Sequence, residues 1–315
     1  MSDQTPYARF PGQVIAAPPC RMLNANMYGF FIKGNIVNIQ QYIDETLNVV
    51  PLGQNRFQAL MSYCMLTFTD IENIKPVAEP YASQGWFQET DIIIWIPVAR
   101  MQGLKIKKIY WYPAFICVNN IYALVNGREI WGFNKYLCDY EMPSIGAEPD
   151  LFSMTVDAFT HFSPDTKMAP VELFRVEKVA AGEEKPLTDL SELLKEGFDL
   201  MKSDADCFKL DLEDLAKLVA DFFHPQVDQL LLKQFPDGEG QNAVYQKLLH
   251  SPSVVQKLHD IKLYGHAFEF TLNQVDMFPL QEMFGIQVGS QSSVLNFNVL
   301  FDFNQQAAFE LTSED

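Results

Sequence analysis

Along the last quarter of the chain, apolar and polar residues alternate almost one for one. Leu295, Phe297, Val299, Phe301 and Phe303 are separated by Asn296, Asn298, Leu300 and Asp302, and His266, Phe268, Phe270 and Leu272 by Ala267, Glu269 and Thr271. A period of two places each apolar set on one face of a β-strand; a helix would scatter the same residues around its circumference. Ile92-Ile93-Ile94-Trp95-Ile96 is apolar without a break, which predicts a strand covered on both faces. Residues 61–68, 151–159 and 171–179 also read as strands. So do 109–118 and 121–125, joined by a turn at Asn119-Asn120.

Residues 183–250 have a different period. Thr188 is placed to cap a helix that carries Leu190, Leu193, Leu194 and Phe198. Leu212, Leu215, Val219, Phe222 and Phe223 mark a second helix, ended by His224-Pro225 because the residue before proline avoids the helical region. A third, short helix is expected after Gly240, and a helical turn over 278–285. The expected architecture is α+β and rich in strand: one domain over 1–182 and 251–315, interrupted by a helical insertion at 183–250.

Charge narrows the function classes. Lys plus Arg number 23 against 40 Asp plus Glu, a formal net charge of −17. Such a chain is a poor partner for nucleic acid, which needs cations to displace phosphate counterions, and for an anionic membrane surface. The insertion is the most acidic stretch. It reads as the solvated face of amphipathic helices in preference to a docking surface for a basic partner. The longest purely apolar run, 92–99, falls far short of the roughly 18 residues a membrane span requires. The polar, acidic opening lacks the basic and apolar regions of a signal peptide, and the five scattered cysteines show no metal or redox spacing. A cytoplasmic protein with reduced thiols is expected.

Phosphate-cradling glycine loops, Gly-x-Ser-x-Gly and His-Glu-x-x-His are all absent from the sequence. The chemistry concentrates instead in Asn126-Gly127-Arg128-Glu129-Ile130-Trp131-Gly132-Phe133-Asn134-Lys135-Tyr136. Two glycines bracket the segment, which implies sharp bends or a close approach of the backbone to something. A lysine flanked by Phe133 and Tyr136 is expected to be partly desolvated, which lowers its pKa, and a neutral amine is what Schiff-base chemistry needs.

Gly-Arg-Glu-x-x-Gly-Phe-x-Lys after an apolar strand resembles the signature of the acetoacetate decarboxylase superfamily. The resemblance is strongest over 119–143, weaker across 27–178, and resumes from about 264 to 303; 183–250 lies outside it. It implies a cone-shaped closed β-sheet with the pocket inside, frequent homo-oligomers, no organic cofactor or metal, and Lys135 as the Schiff-base residue. Where that family carries proline, a second lysine and an early carboxylate, this chain has Asn134, Tyr136 and Gln58. A second pocket carboxylate matches Glu89 best, with Asp91 as the alternative, and the family's early arginine has no match. The departures imply a divergent member acting on another carbonyl compound, or one that has lost catalysis.

The resemblance therefore implies a lyase that works through Lys135 on a small keto acid, by decarboxylation or by aldol or dehydration chemistry. Glu89 is the candidate proton shuttle. Arg128 and Glu129 either brace the turn or serve the site. Tyr136 either donates a hydrogen bond to substrate or packs; Trp131, Phe133 and Trp95 read as pocket wall or core. The rival reading is an inactive binding protein that holds an apolar or acidic metabolite in the same cavity.

Overall fold

A computed structural model describes residues 6–8, 16–207 and 226–313. The strands are β1 (Cys20–Lys33), β2 (Asn55–Ala59), β3 (Tyr63–Pro76), β4 (Phe87–Gln102), β5 (Lys105–Val118), β6 (Lys135–Leu137), β7 (Asp139–Glu141), β8 (Leu151–Ala158) and β9 (Ala169–Ala180). They continue with β10 (Glu184–Pro186), β11 (Gln226–Pro236), β12 (Ala243–Tyr264), β13 (Ala267–Leu272), β14 (Gly289–Ser292), β15 (Val294–Gln305) and β16 (Phe309–Glu310). The helices are α1 (Ile36–Thr46), α2 (Ile121–Asn126), α3 (Leu190–Ser203) and α4 (Leu280–Phe284).

The main sheet runs β2-β4-β3-β1-β15-β12-β11-β5-β6, and β4 also pairs with β5. Following β4 through β3, β1, β15, β12, β11 and β5 back to β4 closes the sheet on itself. The β5–β11 joint is a single parallel pairing, Trp111 with Gln229. A second sheet, β14-β13-β9-β8-β7, packs on the outside. Phe30, Phe68, Ile92 and Ile94 from the closed sheet meet Phe152, Phe174 and Phe270 from the outer one in one core. The unbroken apolar run of β4 is thereby explained: Ile92, Ile94 and Ile96 face that core, while Ile93 and Trp95 face the interior of the closed sheet. The fold is α+β with a closed-sheet core. No helix among the described residues is long and apolar enough to cross a membrane.

Several local expectations are corrected. Residues 121–126 form helix α2 and not a strand. Asn120 caps it by accepting from the Tyr122 N–H (2.8 Å), and Asn119 accepts from the Thr90 N–H (2.8 Å), so the paired asparagines start a helix and tie it to β4. The cap of α3 is Asp189, which accepts from the N–H groups of Ser191 and Glu192 (2.8 and 3.2 Å); Thr188 lies one residue outside it. The short helix expected after Gly240 is instead the turn of the β11–β12 hairpin. There the Asp237 carboxylate accepts from the backbone of Glu239, Gln241 and Asn242, side-chain chemistry that favours a turn. Residues 226–236 and 243–250 are thus strand, with Leu230, Leu231, Leu248 and Leu249 buried, and β12 continues across residue 250. The helix expected over 212–223 lies outside the described residues. The helical turn at 278–285 forms as α4.

Candidate active site

Strand alternation sets one wall of the site. Glu89, Asp91, Ile93 and Trp95 on β4 all line the interior cavity. Lys135 opens β6, which runs parallel to β5 with Lys135 opposite Ile116.

The chain reaches Lys135 by an unusual route. α2 passes into a single turn of π-helix, Gly127–Trp131, which inserts an extra residue into the helical winding. Gly132 ends it with φ +93°, a left-handed conformation open to glycine, and the N–H groups of Gly132 and Phe133 both donate to the Gly127 carbonyl (2.9 and 3.0 Å). Gly127 serves a different purpose. A Cβ there would lie 2.6 and 2.7 Å from Cδ and Cε of Lys135, so the lysine stem passes directly across this residue.

Lys135 is 7% exposed and Glu89 4%. The ammonium donates to Glu89 in a short contact and to Asp91 Oδ1 at 3.3 Å, and Nζ stands 5.4 Å from the centre of the Phe133 ring. The sequence left Glu89 and Asp91 as alternatives; being two apart on one strand, both reach the lysine. Burial pushes the Lys135 pKa down, but Asp91 and Glu89 outweigh it and the ammonium is stabilised. The expected neutral, desolvated lysine is therefore corrected: its carboxylate neighbours hold the proton on. Burial, then the Asp91 charge, push the Glu89 carboxyl up to about 8 against the pull of Lys135. Glu89, raised in this way, can exchange a proton with the amine to which it is already bonded.

The other singled-out residues divide clearly. Trp131 and Phe133 line the cavity, and Trp131 Nε1 donates to the Gln306 carbonyl (2.8 Å). Arg128 is exposed and donates to Asn134 Oδ1 (3.1 Å) and the Lys135 carbonyl (3.2 Å), which braces the turn. Glu129, also exposed, accepts from the Tyr7 hydroxyl (3.0 Å). Tyr136 follows Lys135 in a strand and so faces the opposite way, packed on Phe115 and Phe278 with its hydroxyl accepting from Asn134. Its placement matches the packing alternative, and it does not line the cavity. Gln58 lies on β2 beside α1, outside the cavity. Two features escaped the sequence reading. Asn126, buried, lines the cavity and accepts from the Ala16 N–H (2.9 Å); its position in the glycine-rich segment was the available signal. The apolar face of α3 also lines the cavity. No three His, Cys, Asp or Glu side chains converge as metal ligands among the described residues.

A model of the acetoacetate decarboxylase (ADC) family matches residues 4–172, more than half of the chain. The chain belongs to this family. Solved structures agree on the fold over nearly the whole length. The acetoacetate decarboxylase from Legionella pneumophila subsp. pneumophila str. Philadelphia 1 aligns with TM-score 0.63 at 12% identity, covering 98% of this chain and 93% of that one. An acetoacetate decarboxylase-like enzyme from Sphingomonas wittichii RW1 gives 0.56 at 13% identity, covering 93% of each chain. The enduracididine biosynthesis enzyme MppR, solved with pyruvate, gives 0.57 at 9% identity, covering 97% and 95%. No curated protein sequence matches this one. At these identities the shared property is the fold, so the chemistry of this family member rests on its own site.

Proposed function

We propose that this protein is a lyase that forms a Schiff base between Lys135 and a keto acid. The observation that carries the reading is a buried lysine on an internal cavity, bonded to two carboxyl groups, Glu89 and Asp91, of which burial raises the pKa of Glu89. Glu89 takes the ammonium proton. The free amine adds to the ketone carbon, and the carbinolamine loses water as Glu89 or Asp91 returns a proton to the leaving hydroxyl. The resulting iminium draws electrons from the neighbouring carbon. From a β-keto acid, the carbon–carbon bond breaks, carbon dioxide leaves, and its electron pair forms an enamine. Protonation at carbon and addition of water then release the ketone and the amine. From a 2-keto acid, loss of a proton gives the equivalent enamine, which can add to an aldehyde. The lysine nitrogen is the electron sink throughout.

The test is borohydride trapping. The protein is incubated with acetoacetate, pyruvate and a series of longer keto acids, reduced, digested and mapped by mass spectrometry. The expected result is a substrate-dependent adduct on the Lys135 peptide, lost in a folded Lys135→Met variant. A folded protein that yields no adduct at Lys135 with any of these carbonyls sinks the reading.

A further inference from the structure

The cavity is far larger than the chemistry at Lys135 needs. Its volume is about 620 Å³, within the range that holds a drug-sized ligand, whereas acetoacetate and pyruvate are a fraction of that size. It is also long. Alternate residues of β4 line it from Glu89 through Asp91, Ile93 and Trp95 to Pro97. From Asp91 to Pro97 the strand advances about 20 Å at roughly 3.3 Å per residue.

The ends of the cavity differ in character. Lys135, Glu89 and Asp91 gather at one end; the other charged residues of the lining are Lys195, Asp199 and Lys202, exposed on α3 with Asp199 and Lys202 paired, and Asp228, which is bonded to Lys108. Away from them the sheet contributes Phe31, Met65, Trp111 and Phe297, and α3 lays Leu193 and Phe198 against the same space. The polar side chains on this wall bond mainly to one another. Gln229 Nε2 donates to Ser253 Oγ (2.8 Å) and Ser253 Oγ to Gln305 Oε1 (2.5 Å); Gln229 Oε1 finds no partner among the described residues. α3 is held in place at its C-terminus, where buried Asp204 accepts from Ser62 N and Oγ (2.7 Å each) and from Lys33 Nζ (2.9 Å). A short keto acid at Lys135 would leave this apolar wall facing water, which is unfavourable in proportion to its area.

Building on the Schiff-base reading, we infer that the substrate carries an extended apolar chain. Its carbonyl lies at Lys135, and its tail runs along β4 toward the wall completed by α3. α3, which lies beyond the residues the family model matches, thus has a role: its Leu193 and Phe198 complete the tail site.

The experiment is a chain-length series on the wild-type protein with two readouts. Borohydride trapping at Lys135 is titrated with acetoacetate, β-ketooctanoate and β-ketolaurate. In parallel, butyrate, octanoate and laurate, which carry no ketone, are titrated against tryptophan fluorescence, since Trp95, Trp111 and Trp131 line the cavity. The expected result is a half-saturating concentration that falls about threefold or more per added methylene in both series, from the ~0.8 kcal/mol released when a CH₂ is buried. Leu193→Asp, on the inward face of α3, is expected to flatten both. Equal trapping of acetoacetate and β-ketolaurate overturns the tail site and leaves the Schiff-base reading standing. Absence of any Lys135 adduct, with quenching that still strengthens with chain length, removes the Schiff-base reading and supports the tail site. Flat series in both readouts overturn the inference, as does an undiminished slope in a folded Leu193→Asp protein.

Discussion

Lys135 is governed by its two carboxylate neighbours more than by its burial. Because they raise its pKa, free amine forms as pH rises, and the trapping rate is expected to climb through the neutral and alkaline range. Glu89→Gln removes one negative charge, so the rising limb should move to lower pH, while the plateau falls for want of a proton acceptor. Adduct formation followed by mass spectrometry across pH checks this; an unmoved limb would mean that Glu89 does not govern the lysine. Gly127→Ala is expected to cut the trapping rate at least tenfold with the fold intact, because the new methyl takes the space of the lysine stem. Trapping and circular dichroism on the same sample separate the two effects. The spacing Gly-Arg-Glu-x-x-Gly-Phe-x-Lys made this lysine legible because the whole segment is local. Of the two readings offered for Tyr136 its placement matches packing, and Gln58 lies outside the cavity. Tyr136 adjoins a residue that faces the cavity, and strand alternation alone turns it outward. The matching of Gln58 to an early carboxylate had no such internal check.

At the scale of elements, the joint between β5 and β11 has one backbone pairing, and side chains reinforce it. Asp228 on β11 bonds to Lys108 on β5 (2.9 Å) and to His250 on β12. Burial alone would raise its carboxyl, but hydrogen bonds from His250, Lys108 and Gln226 hold it down at about 2. A pKa below the unfolded value of 3.8 gives stability that is full above pH 3.8 and vanishes as pH falls through about 2. Asp228→Asn is therefore expected to cost about 1–2 kcal/mol at neutral pH, less the screening at half-exposed Lys108, with the difference closing between pH 4 and 2. Urea unfolding at several pH values measures it; a pH-independent difference would mean that the charge is irrelevant. Elements with regular alternation, β13 and β15, and β4 with its unbroken apolar run, were readable in the sequence. Those decided by one polar side chain were not: Asn120 makes a helix where apolar content suggested a strand, and Asp237 makes a hairpin where a helix was expected.

Over the whole molecule, the cavity touches the strands on both sides of the closing joint, so its occupant should brace the entire closed sheet. At about a hundred times its dissociation constant, laurate is expected to stabilise the fold by about 2.7 kcal/mol and raise Tm by several degrees. Butyrate at the same concentration should leave Tm unmoved. Calorimetry decides, and equal shifts would count against the tail site. Closure itself was not derivable from residue pattern, because it depends on Trp111 meeting Gln229 across a long stretch of chain; family resemblance supplied it.

The place of β15 in the sheet also orders events in time. It lies between β1 and β12, so the first long strand borders one of the last. Lys135, Glu89 and Asp91 leave the ribosome while that neighbour is still unmade. The nascent chain then carries a lysine in water, without its enclosing wall. Pairing across such sequence separation is slow relative to local structure, so Lys135, Glu89 and Asp91 stay unenclosed until β15 has been made. Assembly of the site therefore waits on the long-range pairing of β1 with β15.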